Sequence, residues 1–272
     1  MARILVTNDD GYRSPGLRYL VRALSDLGDL TIICPEQQRS AAGLSVTLHK
    51  PLRLRKIVYD NHLYYLMNGT TGDCVSMGLF HIMDEPPDIT VSGINIGENI
   101  SLLEFFMSGT VAGALLSALH NIPSISFSKV VLKADVIGGE MVRGGFEAAA
   151  LISREIVKIV LEDGLPDNID LYNVNFPNRI ASNSKIVVTR PARLSLNTKL
   201  YIRRDPRGRE YYWLWGEKFK SFPRGTDGYE VFINGNISLT PISLSNISYE
   251  SSSRKLKHLV DSVNDLIHDL FK

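Results

Sequence analysis

The stretch Ile4–Gly11, with the sequence ILVTNDDG, decides the fold. A short β-branched run, Ile4–Thr7, leads into a polar loop that extends to Pro15. Apolar residues then recur at helical spacing from about Gly16 to Gly28, and a second strand is predicted over Leu30–Cys34. This order of strand, loop, helix and strand predicts an α/β protein with a parallel sheet and right-handed crossovers.

The same alternation continues along the chain. Its predicted elements are helix Thr70–Met83, strand Asp88–Val91, helix Thr110–His120, strand Ile122–Phe127, a long helix from about Gly139 to Leu161, and strand Leu171–Phe176. A β excursion is expected before them, over Ser45–Val58 and His62–Met67.

After Pro177 the pattern changes. Residues 185–215 alternate and are rich in Tyr, Trp and Arg, which predicts an antiparallel hairpin pair outside the parallel sheet. Tyr229–Thr240 again has the pattern of a sheet, and Leu256–Leu270 carries an apolar helical stripe. We therefore predict a catalytic core over residues 1–180. A C-terminal extension over 181–272 would hold the hairpin, a returning strand and a terminal helix.

Composition excludes several function classes. The 272 residues include 30 Lys and Arg against 29 acidic residues, so no overall charge favours nucleic acid or a membrane as partner. Only Cys34 and Cys74 are present, which is typical of a reducing cytosol, although one disulfide between them is left open. No targeting segment and no apolar run of about 20 residues is visible. We expect a cytoplasmic protein without a membrane span.

Adjacent carboxylates make the first loop a candidate metal site. Asp9 and Asp10 repel one another unless a positive charge lies nearby, and a divalent cation with oxygen ligands would relieve that repulsion. An Asx turn is an equally good interpretation of Asn8–Gly11.

Two further loops follow predicted strands and carry oxygen ligands. In Pro35–Ser45, small residues would let backbone amides approach a phosphate, and the Ser40 hydroxyl could join a metal shell. In Ser92–Asn99, the Asn95 amide offers a neutral oxygen ligand. The sequence Ser108-Gly109-Thr110 then opens a helix whose first amides could bind phosphate, or Ser108 could simply cap that helix.

Other phosphate and cofactor chemistries lack their motifs. The sequence has no Walker-type loop, no G-x-G-x-x-G after the first strand and no His-Cys cluster with zinc spacing. All six histidines lie outside the three loops, which disfavours phosphoryl transfer through histidine.

Taken together, these loops resemble the stationary-phase survival protein E (SurE) family of nucleotidases. The matching text occurs in family order over roughly residues 3–245. It comprises ILVTNDDG (4–11), QRS (38–40), NGT (68–70), DCV (73–75), SGINIGEN (92–99), SGT (108–110), NVNFP (173–177), Thr226-Asp227 and Thr240-Pro241. Two positions depart from the family pattern. Ser40 is followed by Ala41-Ala42-Gly43 where Ser-Gly is frequent, and Thr71-Gly72-Asp73 stands where Pro-Ala-Asp is frequent.

The resemblance implies a Rossmann-like three-layer α/β/α sandwich with a C-terminal hairpin and helix extension exchanged between subunits, in a homodimer or homotetramer. It also implies hydrolysis of nucleoside 5′-monophosphates, and of 3′-monophosphates, with one divalent cation (Mg²⁺ or Mn²⁺) per subunit. By position, the metal ligands would be Asp9, Asp10, Ser40 and Asn95. Residues around the phosphate would be Asn8, Gly43, Ser108, Gly109 and Thr110.

For the reaction, we expect a metal-activated water as nucleophile, oriented by Asn8 or a carboxylate. The main alternative among enzymes makes Asp9 or Asp10 a covalent nucleophile, but the Asp-x-Asp pattern of such enzymes is missing. A nucleotide- or RNA-binding module without catalysis is the alternative from another class. Its base-stacking surface would be the basic aromatic extension, which we interpret instead as packing against another subunit. The extension comprises Arg190, Arg193, Arg203, Arg204, Arg207, Arg209, Tyr211, Tyr212, Trp213 and Trp215. The set Asp9, Asp10 and Asn95 favours the enzyme.

Overall fold

The computed structural model describes residues 1–132, 136–137, 140–141, 145–194, 197–217 and 221–245, together with 257, 259–261 and 263. The chain divides into two compact units, Met1–Ile242 and Ser243–Lys272. Most of the helix predicted over Leu256–Leu270 lies outside the described residues, so that prediction stays open.

The first unit alternates strands and helices as the sequence predicts. In chain order the elements are β1 (Ala2–Thr7), α1 (Pro15–Leu24), β2 (Gly28–Pro35), β3 (Leu54–Tyr59), β4 (His62–Met67), α2 (Thr71–Met77), β5 (Ile89–Ile96), α3 (Ser101–Met107), α4 (Gly109–Leu119), β6 (Ser124–Lys129), β7 (Val136–Ile137), β8 (Glu140–Met141), α5 (Glu147–Asp163), β9 (Leu171–Phe176), β10 (Ile186–Val188), β11 (Asn197–Arg204), β12 (Glu210–Glu217) and β13 (Ile237–Ile242). Two π-helical turns cover Gly78–Ile82 and Tyr229–Asn234.

Nine strands form one mixed sheet in the order β10-β13-β9-β6-β5-β1-β2-β4-β3. The six strands from β9 to β4 in this order are mutually parallel. Strand β3 pairs antiparallel with β4 at one edge, and β13 pairs antiparallel with β9 near the other. The predicted α/β class with a mostly parallel sheet is confirmed, and so is a C-terminal hairpin, formed by β11 and β12 outside the main sheet.

Two predictions for the middle of the chain were wrong. Residues 45–53 form no strand, because Thr47 and Ser45 bond instead to Asp73 and Thr70 at the start of α2. The fifth helix begins at Glu147, and Glu140–Met141 pairs as a strand with Val136–Ile137. Glycines at 138–139 and 144–145 are poor helix formers, which explains the late start of α5.

Two predictions for the later part also need correction. Only part of residues 185–215 forms the predicted hairpin, namely β11 and β12, whereas Ile186–Val188 (β10) joins the main sheet beside β13. Tyr229–Asn234 is a helical turn rather than a strand. Buried Glu230 stabilises it by accepting hydrogen bonds from the side chains of Asn234 and Asn236, at 3.0 and 2.8 Å.

Helices cover both faces of the sheet. Helices α1 and α5 pack on one face over an apolar core that includes Ile4, Val6 and Phe127, while α2 and α4 lie on the other. Cys34 belongs to the core under α1, and Cys74 belongs to a smaller cluster around α2. Both thiols are free and buried, so the disulfide left open by the sequence is not formed.

The face under α4 is lined by small polar side chains. They alternate with apolar residues along the central strands and are fully or almost fully buried: Thr7, Thr90, Ser92, Ser124, Ser126, Ser128, Asn173 and Asn175. A Cβ on Gly113 of α4 would lie 2.9 Å from Ser92 Oγ and from Thr7 Cγ2. Because α4 packs so closely against this face, its first turn reaches the ends of β1 and β5.

The predicted core boundary at residue 180 does not coincide with a break in the sheet, because β10 and β13 belong to it. The division into a catalytic core and an oligomerisation extension stays a prediction. Within the described residues, no single helix has the length and hydropathy to cross a membrane; α3 and α4 reach them only as a pair bent by 77°.

Candidate active site

The candidate site lies at the carboxyl edge of the sheet, between two strands whose following connections run in opposite directions. Strand β1 lies between β5 and β2, and the connections from β1 and β5 run to different sides. In open α/β sheets, ligands bind at this switch point. The loop after β1 carries Asp9 and Asp10, and Asn95 lies at the end of β5. Strand β5 is longer than predicted: after an irregularity, Asn95 and Ile96 pair with Ser128 and Lys129 of β6.

Asn8 closes the turn that presents the two carboxylates. Its side-chain Nδ2 donates to the Gly11 carbonyl at 3.1 Å, and its Oδ1 accepts from the Gly11 amide at 3.2 Å. The residue is fully buried. The Asx-turn interpretation of this loop is therefore correct, and it coexists with the clustering of carboxylates. The role of Asn8 in orienting water stays a prediction, because here its amide braces the turn.

Asp9 points at the first turn of α4. Its carboxylate accepts a hydrogen bond from the Thr110 hydroxyl, and a Cβ on Gly109 would lie only 2.7 Å from Asp9 Oδ2. Burial raises the pKa of Asp9, while hydrogen bonds from the Thr110 hydroxyl and from the amides of Asp9, Thr110 and Gly109 act in the opposite direction. The helix amides thus face an anion supplied by the chain itself.

Asp10 is held by two donors from different loops. The Ile96 amide donates to Oδ2 at 2.9 Å, and Gln38 Nε2 donates to Oδ1 at 3.0 Å. Burial and the neighbouring charge of Asp9 raise the pKa of Asp10 to about 7, against the effect of those two hydrogen bonds. The charged forms of Asp9 and Asp10 are therefore disfavoured without a counter-charge, and a nearby cation would stabilise them.

Three of the four predicted metal ligands line one cavity of about 260 Å³. Asp9, Ser40 and Asn95 contribute to its wall, together with Ser108. Further lining residues are Ala41, Ile96, Glu98, Asn99, Glu104 and Met107. Asp10 lines a neighbouring cavity of about 450 Å³ with Gln38 and Arg55, but its bond to Ile96 keeps its carboxylate beside the first cavity.

The donor set fits a hard divalent cation. Asn95 Nδ2 donates to the Gly97 carbonyl at 2.9 Å, which leaves the Oδ1 oxygen as an available ligand. The other candidate metal ligands are the two carboxylates and the exposed Ser40 hydroxyl. Every candidate ligand atom is therefore oxygen, which Mg²⁺ and Mn²⁺ prefer. No cluster of three or more His, Cys, Asp or Glu occurs in the part of the chain that the structure describes. A soft-metal site of that kind is therefore not seen there.

Several residues predicted to contact phosphate already make contacts within the chain. The Gly43 amide donates to the Met107 carbonyl at 2.9 Å, which ties the second loop to the end of α3. Ser108 caps α4, because its Oγ accepts from the Val111 amide at 3.1 Å. Gly109 and Thr110 contact Asp9. Their roles as phosphate ligands stay predictions.

Several residues that line the cavity or support the elements around it had no predicted role. Gln38 holds Asp10, Asp227 accepts from the Ser101 amide at 2.8 Å at the start of α3, and Glu98, Asn99 and Glu104 line the cavity. The only sequence signal for Gln38, Asn99 and Asp227 was their membership of the resembling motifs.

Most of the basic aromatic extension lies on the hairpin of β11 and β12, away from these loops in sequence, whereas Arg190 and Arg193 precede the hairpin. Tyr201, Arg203, Tyr211 and Trp213 line a groove of about 480 Å³ on one of its faces. All three aromatic side chains are exposed.

A Rossmann-like sheet whose switch point gathers two carboxylates, an amide oxygen and a helix N-terminus is typical of α/β proteins that bind a cation and an anionic ligand together. Residues 4–198 match the family model described as survival protein SurE. The chain is 42% identical over 247 residues to the 5′-nucleotidase SurE of Methanothrix thermoacetophila, covering 90% of this chain and 93% of that protein. It is 39% identical over 260 residues to the 5′-nucleotidase SurE of Methanococcoides burtonii, with coverage of 95% and 99%.

The structural comparison agrees. The crystal structure of the SurE protein from Aquifex aeolicus superimposes with a TM-score of 0.77 at 34% identity, covering 94% of this chain and 99% of that one. The chain belongs to the SurE survival protein family.

Proposed function

We propose that this protein is a metal-dependent 5′-nucleotidase, which hydrolyses nucleoside 5′-monophosphates to nucleoside and phosphate. The relatives from Methanothrix thermoacetophila and Methanococcoides burtonii bear that activity in their names. Activity on 3′-monophosphates and the use of one Mg²⁺ or Mn²⁺ per subunit are further parts of the proposal.

The observation that carries the proposal is the placement of Asp9, Ser40 and Asn95 around one cavity, with Asp10 beside it and the start of α4 at its wall. A phosphate monoester is dianionic near neutral pH, so two uncompensated carboxylates would repel it. A bound divalent cation would neutralise that local charge, polarise the phosphoryl group and activate water. The arrangement of these residues around the cavity therefore supports a phosphatase site that binds a divalent cation.

The chain's own residues have distinct tasks in this scheme. Asp9, Asp10, Ser40 and Asn95 hold the cation, and Ile96 and Gln38 fix the orientation of Asp10. The amides of Gly109 and Thr110 at the start of α4 stabilise the charged form of Asp9, a predicted cation ligand. Fixed donors of this kind need no reorganisation as charge moves during phosphoryl transfer.

Both carboxylates are already committed by hydrogen bonds. Asp9 accepts from Thr110, and Asp10 accepts from Gln38 and Ile96. This favours a cation-binding role over attack on phosphorus, so we propose that no aspartyl-phosphate accumulates. Acid quenching during turnover should leave no covalent phosphate on Asp9 or Asp10; a phosphorylated peptide containing either residue would favour the covalent mechanism.

Phosphate release from a panel of nucleoside 5′- and 3′-monophosphates tests the activity. Each substrate is assayed with Mg²⁺, with Mn²⁺ and after removal of metal by a chelator. We expect release with either cation and little release in chelator. Turnover of no monophosphate under any of these conditions would refute the proposal and favour a nucleotide- or RNA-binding module.

We also propose a cytoplasmic homodimer or homotetramer assembled through the C-terminal extension. The exposed apolar residues of the hairpin, such as Leu200, Ile202 and Leu214, are candidates for a subunit contact. Truncation after Tyr249 asks whether the last segment is needed. We expect the shortened protein to lose its oligomer in light scattering while its sheet stays folded, and an unchanged oligomer would place the contact elsewhere.

A further inference from the structure

Asn99 lies at the same cavity as Asp9 and Asn95, although it belongs neither to the predicted metal ligands nor to the predicted phosphate contacts. It follows β5 by three residues and is only 6% exposed. A polar side chain so deeply buried at a cavity needs hydrogen-bond partners, and these define its orientation.

Side chains of β9 hold both the backbone amide and the backbone carbonyl of Asn99. The Asn99 amide donates to Asn175 Oδ1 at 2.8 Å, and its carbonyl accepts from Asn173 Nδ2 at 2.9 Å and from Asn175 Nδ2 at 3.3 Å. Residues two apart on a strand share a face, so both side chains reach the same peptide. Ser126 donates to Asn173 Oδ1 at 2.9 Å, which fixes the orientation of that amide.

The side chain of Asn99 is only partly used. Its Nδ2 donates to Ser128 Oγ at 2.8 Å. A carboxamide has two N–H donors and one acceptor oxygen. Within the described part of the chain, no other hydrogen bond to this amide is formed, so one N–H and the oxygen stay available for a ligand in the cavity.

The side-chain N–H of Asn99 lies at a cavity whose other polar side chains are partly acidic. The other polar groups that line the cavity include the carboxylates of Glu98 and Glu104, which repel a phosphate dianion. Glu104 is partly engaged, since its Oε2 accepts from the Ile100 amide at 3.0 Å. Asn99 is neutral and offers a donor, so it can contact the phosphate without repulsion.

We propose that Asn99 is a substrate-binding residue, which donates its second side-chain N–H to the phosphate of the nucleoside monophosphate. Asn173 and Asn175 are positioning residues that act through it. The inference rests on the proposed phosphatase function and adds a phosphate contact to it.

Two substitutions and two substrates test the contact. Asn99→Ala removes the donor, and Asn99→Asp replaces it with a negative charge. Each variant is assayed on a nucleoside 5′-monophosphate and on p-nitrophenyl phosphate, and inorganic phosphate is measured as a competitive inhibitor. A hydrogen bond to a charged group contributes enough for kcat/KM to fall about 10- to 100-fold in Asn99→Ala. We expect the same loss on both substrates, a larger loss in Asn99→Asp and weaker inhibition by phosphate.

The alternatives give different results. A loss confined to the nucleotide would show that Asn99 contacts the nucleoside, which overturns the proposed phosphate contact. Unchanged kinetics of Asn99→Ala in an active protein would overturn the inference but not the proposed function. A wild-type protein inactive on both esters would overturn both.

The positioning role has its own test. Asn175→Asp keeps the acceptor for the Asn99 amide but replaces the donor to the Asn99 carbonyl by an oxygen. We expect kcat/KM to fall on both substrates, and no further fall when Asn175→Asp is combined with Asn99→Ala, because both changes act through one contact. Independent, multiplicative losses would refute a role through Asn99.

The matched control is Ser124→Ala. Ser124 lies on β6 in the same buried polar face, but its Oγ donates to the Ile122 carbonyl at 2.7 Å rather than to this cluster. We expect its kinetics to match the wild type. Should Asn175→Asp fail to fold, Ser128→Ala removes only the partner of Asn99 Nδ2 and is expected to lower kcat/KM on both esters. Unchanged kinetics in Ser128→Ala would then show that phosphate binding does not depend on the orientation of the Asn99 amide, which contradicts a positioning role that acts through Asn99.

Discussion

The hydroxyl of Thr110 donates a hydrogen bond to the carboxylate of Asp9, which joins the first turn of α4 to the loop after β1. The two residues are 101 positions apart in the sequence, and both are buried. The contact orients a predicted metal ligand by a donor from a different element, as outer partners commonly do at metal sites.

Thr110→Val should therefore weaken the site while keeping its shape. Loss of the hydroxyl leaves Asp9 with one donor fewer in a buried position, which disfavours its charged form. We expect about tenfold weaker Mn²⁺ binding and a similar fall in kcat, within the range for loss of a hydrogen bond to a charged group. Mn²⁺ titration and phosphate release measure the two effects.

Thr90→Val is the matched control for this prediction. Thr90 is also fully buried, but its Oγ1 has no hydrogen-bond partner among the residues that the structure describes. Its replacement by Val should leave Mn²⁺ affinity and kcat unchanged. Equal behaviour of the two variants would mean that the Thr110 hydroxyl does not support Asp9.

Gly109→Ala should disturb the same carboxylate by steric overlap. A Cβ at Gly109 would lie 2.7 Å from Asp9 Oδ2 and 2.8 Å from Asp9 Cβ, so the side chain or the helix must shift. We expect kcat to fall by at least about tenfold with the fold retained, because small displacements of catalytic groups are costly. Gly145→Ala, where no atom of the described residues lies within 4 Å of the added Cβ, serves as the control in circular dichroism and phosphate release. Wild-type activity in Gly109→Ala would contradict the close packing of α4 on Asp9.

The stability of the metal-free protein should depend on pH through Asp10. The pKa of Asp10 is about 7 in the folded state against an ordinary value of 3.8, so the folded state binds more protons between about pH 4 and pH 7. Stability from this group is therefore lost as pH rises through that window. Asp10→Asn removes the effect, and we expect its advantage in melting temperature over the wild type in chelator to grow from pH 5 to pH 8.

Saturating Mn²⁺ should reverse the order of the two proteins. The wild type gains stability from binding, and Asp10→Asn gains less. An advantage of Asp10→Asn that is the same at every pH would contradict the raised pKa of Asp10.

The local pattern of apolar and polar residues in the sequence was enough to predict the strands and loops that carry the candidate site. The run Ile4–Thr7 predicts a buried strand, and the carboxylates after it fall at the strand end where ligands bind in α/β sheets. Asn95 was predicted as a loop residue, whereas it pairs within β5. The error concerns the strand boundary and leaves the position of the side chain at the site unaffected.

Contacts between residues that are far apart in the sequence could not be predicted from the sequence. Nothing near Asn99 in sequence indicates that residues 74 and 76 positions away clamp its peptide. Two asparagines two apart in the strand Leu171–Phe176 were a signal, since polar residues inside a buried strand need partners. Their partner could not be identified without the strand order. The amide of Gly43 is a similar case, because its bond to Met107 depends on how the second loop meets α3.

Metal occupancy and turnover measured together, in the wild type and in Asp9→Asn, test the central claim most directly. Stripped protein is titrated with Mn²⁺, and free Mn²⁺ and phosphate release from a nucleoside 5′-monophosphate are followed in the same samples. We expect wild-type release to rise with occupancy and to level off near one ion per subunit. Asp9→Asn should stay folded, bind Mn²⁺ at least about tenfold more weakly and release almost no phosphate. Full phosphate release by the stripped wild type, or by Asp9→Asn without bound Mn²⁺, would contradict a cation site at Asp9, Asp10, Ser40 and Asn95.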